Sequence, residues 1–263
     1  MLNSYNFIVY LFSKIVSSVL TVKKVWIYNF LIKFSLGNYK YSRYGIKLIN
    51  QDMRDKTYRF CLGGAYGYFF SKYLLSLKQK FILIDFGANL GLYSCLALKN
   101  RNCIYTYSFE PIKNLSKLLI ENLKLNKSKA KVFNFGVFSK NIKKNIYYDP
   151  MNTGQSSMLK EKNIHFKKKI SCKFINSKKI DQLISKKSVA YVVKIDVEGL
   201  EKIVLKELMK LKIFKKVKSI FIEISNPKDF NIIKKKLNRF NFKFKGPFKK
   251  QLTKDYLFIK NEI

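Results

Sequence analysis

A rhythm restricts this chain more than any other feature. From residue 80 onward, short apolar runs alternate with segments of helical spacing. Residues 81–86 (FILIDF) read as a fully buried strand, 90–99 as a helix and 104–109 (IYTYSF) as a second strand. Residues 111–125 read as a helix with Ile112, Leu115, Leu119 and Leu123 on one face, and 131–136 as a third strand. A polar stretch, 141–176, then breaks the pattern with Asp149-Pro150, Thr153-Gly154 and Ser156-Ser157, the composition of an insertion or hairpin. The rhythm resumes as helix 178–186, strand 189–196, helix 199–211, strand 217–224 and helix 228–240, the last with Phe230, Ile233, Leu237 and Phe240 at helical spacing. Short strands near 241–245 and 255–260 close the chain. Strands separated by helices lie parallel and are joined by right-handed crossovers, so the expected class is α/β with a doubly wound sheet. Such sheets bind their ligands beyond the carboxyl ends of the strands.

The first 75 residues lack that rhythm. The expected division is an N-terminal helical extension, 1–75, and a main domain, 76–263. Residues Phe7 to Phe34 are mostly apolar and aromatic but are interrupted by Lys14, Lys23, Lys24 and Lys33, so they fall short of the about 20 uninterrupted apolar residues of a spanning helix. Helices packed on the main domain, a membrane-surface anchor whose lysines snorkel toward head groups, and a signal anchor are the readings this pattern allows. Of the 263 residues, 48% are hydrophobic, which excludes wholesale disorder. The 53 Lys and Arg outnumber the 16 Asp and Glu, for a formal charge of +37. That excess reflects either a coding bias toward A/T-rich codons or an anionic partner; a membrane surface, an anionic glycolipid and nucleic acid all fit. Cys61, Cys95, Cys103 and Cys172 show no C-x-x-C spacing, and Cys95 and Cys103 sit in apolar contexts, as buried thiols do. With no basic segment or cleavage site near Met1 to Asn6, the expected location is the cytoplasm, either free or peripheral at a membrane.

In an acid-poor chain each acid is informative. Asp85, Glu110, Asp196 and Glu223 fall at or near the carboxyl ends of four expected strands, and Glu198 follows in the next turn. Directly after the first strand comes Asp85-Phe86-Gly87-Ala88-Asn89-Leu90-Gly91, where Gly87 and Gly91 permit a sharp bend and close approach of a ligand. Glu110 lies 23 residues after Gly87, at the end of the next strand, where a carboxylate accepts both hydroxyls of a ribose. An adenosine-bearing ligand is indicated. A dinucleotide fingerprint needs a glycine where this chain has Asn89.

The segments ILIDFGANLGLYS (82–94), FEPIKNLSKLLIENLKLN (109–126), KIDQLI (179–184), VVKIDVEGLEKIVLKEL (192–208) and FIEIS (221–225), in that order, resemble the FkbM family of S-adenosylmethionine-dependent methyltransferases. Family members often carry Gly-x-Tyr-Glu before the first strand; here Gly67-Tyr68 is followed by Phe69. The resemblance implies a Rossmann-like class I methyltransferase sheet, S-adenosylmethionine as methyl donor, and O-methylation of a sugar hydroxyl on a glycan or glycolipid. It implies Asp85, Gly87, Asn89 and Gly91 around the methionine portion, Glu110 on the ribose, and Phe135 and Gly136, at the end of the third strand, near the adenine. Asp196 and Glu198 would face the transferred methyl and the acceptor.

A sugar hydroxyl is a poor nucleophile and is helped by a base. Asp196 or Glu198 is the candidate, since the one histidine, His165, lies in a lysine-rich polar stretch. Lys194 is read as a partner for a carboxylate. Thr153, Gln155, Ser156 and Ser157 are read as part of an acceptor lid or as an ordinary polar turn. Helix N-terminal acids are the plain alternative for Glu198 and Glu201. Oxygen ligation by Asp196, Glu198 and Glu223 would suit magnesium, but nothing demands a metal and none is assigned. Two other classes remain in view. Enzymes that methylate base amino groups carry an Asn/Asp-Pro-Pro-aromatic motif where this chain reads Asp196-Val197-Glu198-Gly199, and Asn226-Pro227 follows the next strand without the aromatic, so the motif speaks against nucleic acid. The other is a non-catalytic membrane-associated module of the same fold.

Overall fold

The structure is a computed structural model that describes residues 2–19, 24–64, 68–158, 168–185, 187–224, 226–246 and 255–261. Lys23, Gly67, His165 and Ser225 of the sequence reading lie outside the described residues. The elements in chain order are α1 (Leu2–Val19), α2 (Lys24–Ile32), β1 (Tyr39–Tyr41), β2 (Lys47–Ile49), α3 (Lys56–Gly63), α4 (Tyr68–Ser76), β3 (Phe81–Phe86), α5 (Leu92–Lys99), β4 (Cys103–Phe109), α6 (Lys113–Leu125) and β5 (Ala130–Phe133). They continue as β6 (Gly136–Val137), β7 (Ile142–Tyr148), β8 (Lys168–Ile175), α7 (Ser177–Leu183), β9 (Ala190–Ile195), α8 (Glu201–Lys210), β10 (Val217–Glu223), α9 (Asp229–Asn238), β11 (Phe242–Phe244) and β12 (Asp255–Lys260).

The main sheet has seven strands in the order β11-β12-β10-β9-β3-β4-β5. Strands β10, β9, β3, β4 and β5 are mutually parallel, and β12 alone is reversed, pairing antiparallel with both β10 and β11. This is the expected α/β class. β3 is buried along its whole length, as a central parallel strand covered by helices on both faces must be. The chain leaves β3 for β4 on one side and returns to β9 on the other, which places the sheet's topological switch at the carboxyl ends of β3 and β9.

Two expectations need refinement. Residues 131–136 do not form one strand. β5 stops at Phe133, where the Asn134 side chain donates to the carbonyls of Glu110 and Pro111 at 2.9 Å each, and Gly136 starts a second, three-stranded sheet of order β6-β8-β7. Phe135 therefore sits between the two sheets and Gly136 opens the second, so neither ends the third strand. The polar stretch is a hairpin, with β7 and β8 antiparallel.

The first 75 residues hold a short β-hairpin, β1–β2, as well as helices. The hairpin docks on α6 through two asparagines of the IENLKLN segment. Asn122 accepts from the Ile49 N–H at 2.7 Å and donates to the Leu90 carbonyl at 2.8 Å; Asn126 accepts from the Lys47 N–H and donates back to the Lys47 carbonyl. Asn122 is buried, so its two bonds satisfy a side-chain amide that water does not reach. All four cysteines are buried and free.

Candidate active site

β3 runs into the bend at 85–91. Gly87 has φ +78°, and a Cβ there would lie 1.8 Å from the carbonyl oxygen of Asp196. The Asp196 N–H donates to the Phe86 carbonyl at 3.1 Å, so the ends of β3 and β9 meet backbone to backbone and leave no room for a side chain. Gly91 serves packing: its Cβ would meet Leu119 Cδ1 at 2.1 Å, where α5 starts against α6. Asn89 also takes the left-handed conformation, φ +50°, which asparagine tolerates better than most residues.

Glu110 closes the bend. Its Oε2 accepts from the Asn89 N–H at 2.9 Å and its Oε1 from the Ile112 N–H at 2.8 Å. An ionised carboxylate has about four acceptor sites, so each oxygen keeps one for a ligand. Burial pushes the Glu110 carboxyl up to about 7 against the opposing pull of the Ile112 and Asn89 N–H groups.

Gly87, Asn89 and Glu110 line one hollow. Phe135, Gly136, Asp196 and Glu198 line the same hollow. Gly136 is required there because a Cβ would strike the Phe174 ring at 2.3 Å. Asp85 and Gly91 lie behind the wall. Asp85 is fully buried, accepts from Ser94 Oγ at 2.8 Å, and faces Lys194 Nζ at 3.4 Å.

Lys194 is the hub that the sequence reading left as a mere ion-pair partner. Its ammonium lies 3.2 Å from Asp196 Oδ2, donates to the Gly87 carbonyl at 3.1 Å, and sits over the Tyr93 ring. Burial alone would lower its proton affinity, but the charges of Asp196 and Asp85 outweigh burial and raise it, so Lys194 stays charged.

Around it gather Asp196, Glu198 and Glu223, with carboxylate oxygens within 4.8 Å of one another, and Asp255, which pairs with Glu223 across β10 and β12. The charge of Asp196, then burial, then Asp255 drive the Glu223 carboxyl strongly up; burial and Asp196 push Asp255 up to about 6. Glu198 has φ +48°, and its carbonyl accepts from the buried Ser157 Oγ at 2.6 Å. Glu201 is structural: it starts α8 and accepts from the Gly199 N–H at 2.7 Å.

The N-terminal region contributes a wall that no motif announced. Asp55 caps α3 through the Thr57 N–H and also holds Thr153 by its N–H and its hydroxyl, while Gly154 N–H donates to Thr57 Oγ1 at 2.7 Å. Thr57, Thr153, Gly154 and Ser156 line the hollow, whereas Gln155 is exposed. The Asp55-x-Thr57 capping pattern is the one sequence signal that could have located this clasp.

An orphaned acceptor tests the site for a cofactor. Asn89 Oδ1 is buried with no hydrogen-bond partner, Glu110 keeps two acceptor sites, and Gly87 opens the backbone between them. These free acceptors fit a nucleoside ligand that carries hydroxyls and a positive charge.

The model of the Methyltransferase FkbM domain matches residues 85–244. No curated protein matches the chain. Among solved structures, an rRNA methylase from Streptococcus thermophilus is similar at 11% identity over 73% of this chain and 94% of that one, TM-score 0.43. The precorrin-6y C5,15-methyltransferase of Geobacter metallireducens GS-15 is similar at 10% identity over 73% and 86%, TM-score 0.42. TrmK of M. capricolum, solved with S-adenosyl-homocysteine, is similar at 9% identity over 74% and 69%, TM-score 0.40.

Proposed function

We propose, from the premise that this chain belongs to the FkbM methyltransferase family, that it is an S-adenosylmethionine-dependent O-methyltransferase acting on a sugar hydroxyl of a glycan or glycolipid. The observation that carries the reading is the presence in one hollow of the Gly87 bend, the twice-anchored Glu110 carboxylate, and the Asp196 and Glu198 carboxylates. S-adenosylmethionine, when bound, supplies a methyl group on a sulfonium whose departure needs no protonation.

The chain's own groups do the rest. Glu110 accepts the two ribose hydroxyls on its remaining lone pairs. Gly87 and Asn89 take the methionine portion, with Asn89 Oδ1 as an acceptor for its ammonium. Phe135 and Gly136 flank the adenine. Gly91 sets the bend by packing. Asp85 is a positioning residue, since it reaches the hollow only through Lys194. Asp196 or Glu198 takes the proton of the acceptor hydroxyl, and the acid cluster makes the local field negative in a protein of formal charge +37. Holding acceptor and donor in line is worth roughly 7–11 kcal/mol of barrier. The proposed setting is the cytoplasmic side of a membrane or the cytoplasm itself.

A labelled-methyl screen tests the acceptor. The purified chain is offered glycans, glycolipids and RNA, and the product linkage is identified by mass spectrometry. Label on a sugar oxygen supports the reading; label on a nucleic-acid base, for which the surplus of lysine is the one favourable feature, would replace it.

A further inference from the structure

We propose that the outward face of α1 and α2 is a docking element that seats this protein on an anionic lipid bilayer. The inference stands apart from methyl transfer, because it rests on neither the hollow nor its carboxylates.

α1 is inside out. Its buried positions among the described side chains are Asn6, Tyr10 and Ser13. Asn6 bonds the Leu36 backbone in both directions, donating from Nδ2 to the carbonyl and accepting from the N–H, and Ser13 Oγ donates to the Val9 carbonyl at 2.6 Å. The opposite face carries Tyr5, Ile8, Phe12 and Ile15, which at helical spacing fall in an arc of roughly 80°. Ile8 is 62% exposed, Phe12 57% and Ile15 62%. Phe7 and Leu11 widen the apolar arc on one side.

α2 packs on α1 and repeats the arrangement. Tyr28, Asn29 and Ile32 point inward. Trp26, 66% exposed, stacks on Phe30 at 5.8 Å, and Phe30 meets Phe34 edge-on at 5.8 Å. Helices that turn Asn6, Ser13 and Asn29 inward and show Ile8, Phe12, Ile15, Trp26 and Phe30 outward are oriented for an apolar surrounding on the outer side.

Charge selects the occupant. No described helix is long and apolar enough to cross a membrane, so this face lies on a surface and does not span one. Lys14 of α1 and Lys33, in the turn just after α2, are exposed, and the Lys14 ammonium lies over the Tyr10 ring. A second copy of a chain with formal charge +37 is repelled, whereas an anionic lipid surface attracts it and takes Trp, Phe and Tyr side chains at the head-group level.

Trp26 is the chain's only tryptophan, so its fluorescence reports this face alone. The full chain is mixed with vesicles of pure phosphatidylcholine, or of phosphatidylcholine with about 30 mol% phosphatidylglycerol. The expected result is co-sedimentation with the anionic vesicles, a shift of Trp26 emission to shorter wavelength, and quenching by lipids brominated on their acyl chains. The triple substitution Ile8→Gln, Phe12→Gln and Ile15→Gln touches exposed side chains only and should weaken partition by about tenfold or more with unchanged circular dichroism. Binding with Trp26 emission unshifted and unquenched would mean that charge elsewhere does the work, and would overturn the proposal. So would no binding, or a lipid-free dimer that shields Trp26. Donor affinity in solution, measured on the same triple variant, should not change, so failure here is read separately from failure of the methyl-transfer reading.

Discussion

Two carboxylate environments share one hollow and are held in opposite ways. Glu110 is held by backbone: the N–H groups of Asn89 and Ile112 fix both oxygens, and no cation touches it. Asp196, Glu198 and Glu223 are held by charge: like groups from the turn after β9 and from the end of β10 crowd within 4.8 Å, and Asp196 pairs with one buried lysine. The first environment is local, since 89, 110 and 112 lie at the tips of adjacent strands, and its geometry is set by backbone before any ligand arrives. The second is an electrostatic compromise that a proton or a cationic ligand relieves. A rigid acceptor for neutral hydroxyls beside a carboxylate group poised to take positive charge is the division of labour that the proposed transfer from a sulfonium to a hydroxyl would use.

The sharpest break in this comparison is Gly87→Ala, because Gly87 joins the two environments. A methyl 1.8 Å from a backbone carbonyl forces β3 and β9 apart. Chemical denaturation should show a loss of about 4 kcal/mol or more. Gly91→Ala should cost less, since its obstacle is the end of the Leu119 side chain. Equal costs would mean that the strand ends yield easily.

Lys194→Met attacks only the charge-held side. It leaves Asp85 and Asp196 without their shared cation and should destabilise by about 3–5 kcal/mol, with partial recovery on adding Asp85→Asn. A Lys194→Met protein as stable as the parent would show that the lysine is not the hub.

Asp196→Asn should separate the two environments in function. We expect turnover to drop about 100-fold while donor affinity stays within about threefold. The reverse pattern would make Asp196 a donor-binding residue.

The smallest effect belongs to Glu110. Glu110→Ala should weaken donor binding at least about tenfold, the worth of a charged hydrogen bond. In the parent, a donor whose hydroxyls bind the ionised carboxylate must displace a proton below about 7, so affinity falls as pH drops through that value, and Glu110→Gln abolishes the trend. The sign for stability runs the other way. The folded group holds its proton more tightly than an unfolded glutamate near 4.5, so the ligand-free protein loses stability as pH rises from about 4.5 to 7.

Legibility followed locality. The bend at 85–91 and the apolar stripe of α6 are written in spacings of a few residues, and each lies where the spacing implied. The break at Asn134 was not legible, because it depends on a side chain bonding carbonyls 23 and 24 residues earlier in the chain. Asn122 and Asn126 sit beside the apolar stripe of α6, and nothing near them in the chain reveals the β2 edge they hold. Lys194 reads as one more lysine in a lysine-rich chain until Asp85 and Asp196 are seen on either side of it. The clasp of Asp55 on Thr153 joins segments 98 residues apart.

The central claim is that the hollow between the Gly87 bend and Glu110 binds a nucleoside sulfonium. Titration calorimetry of the full chain with S-adenosylmethionine, and with its demethylated product, tests it directly. The account predicts saturable binding of both at one site per chain, weakened in Glu110→Ala. A folded protein that binds neither ligand at about millimolar concentration would contradict it.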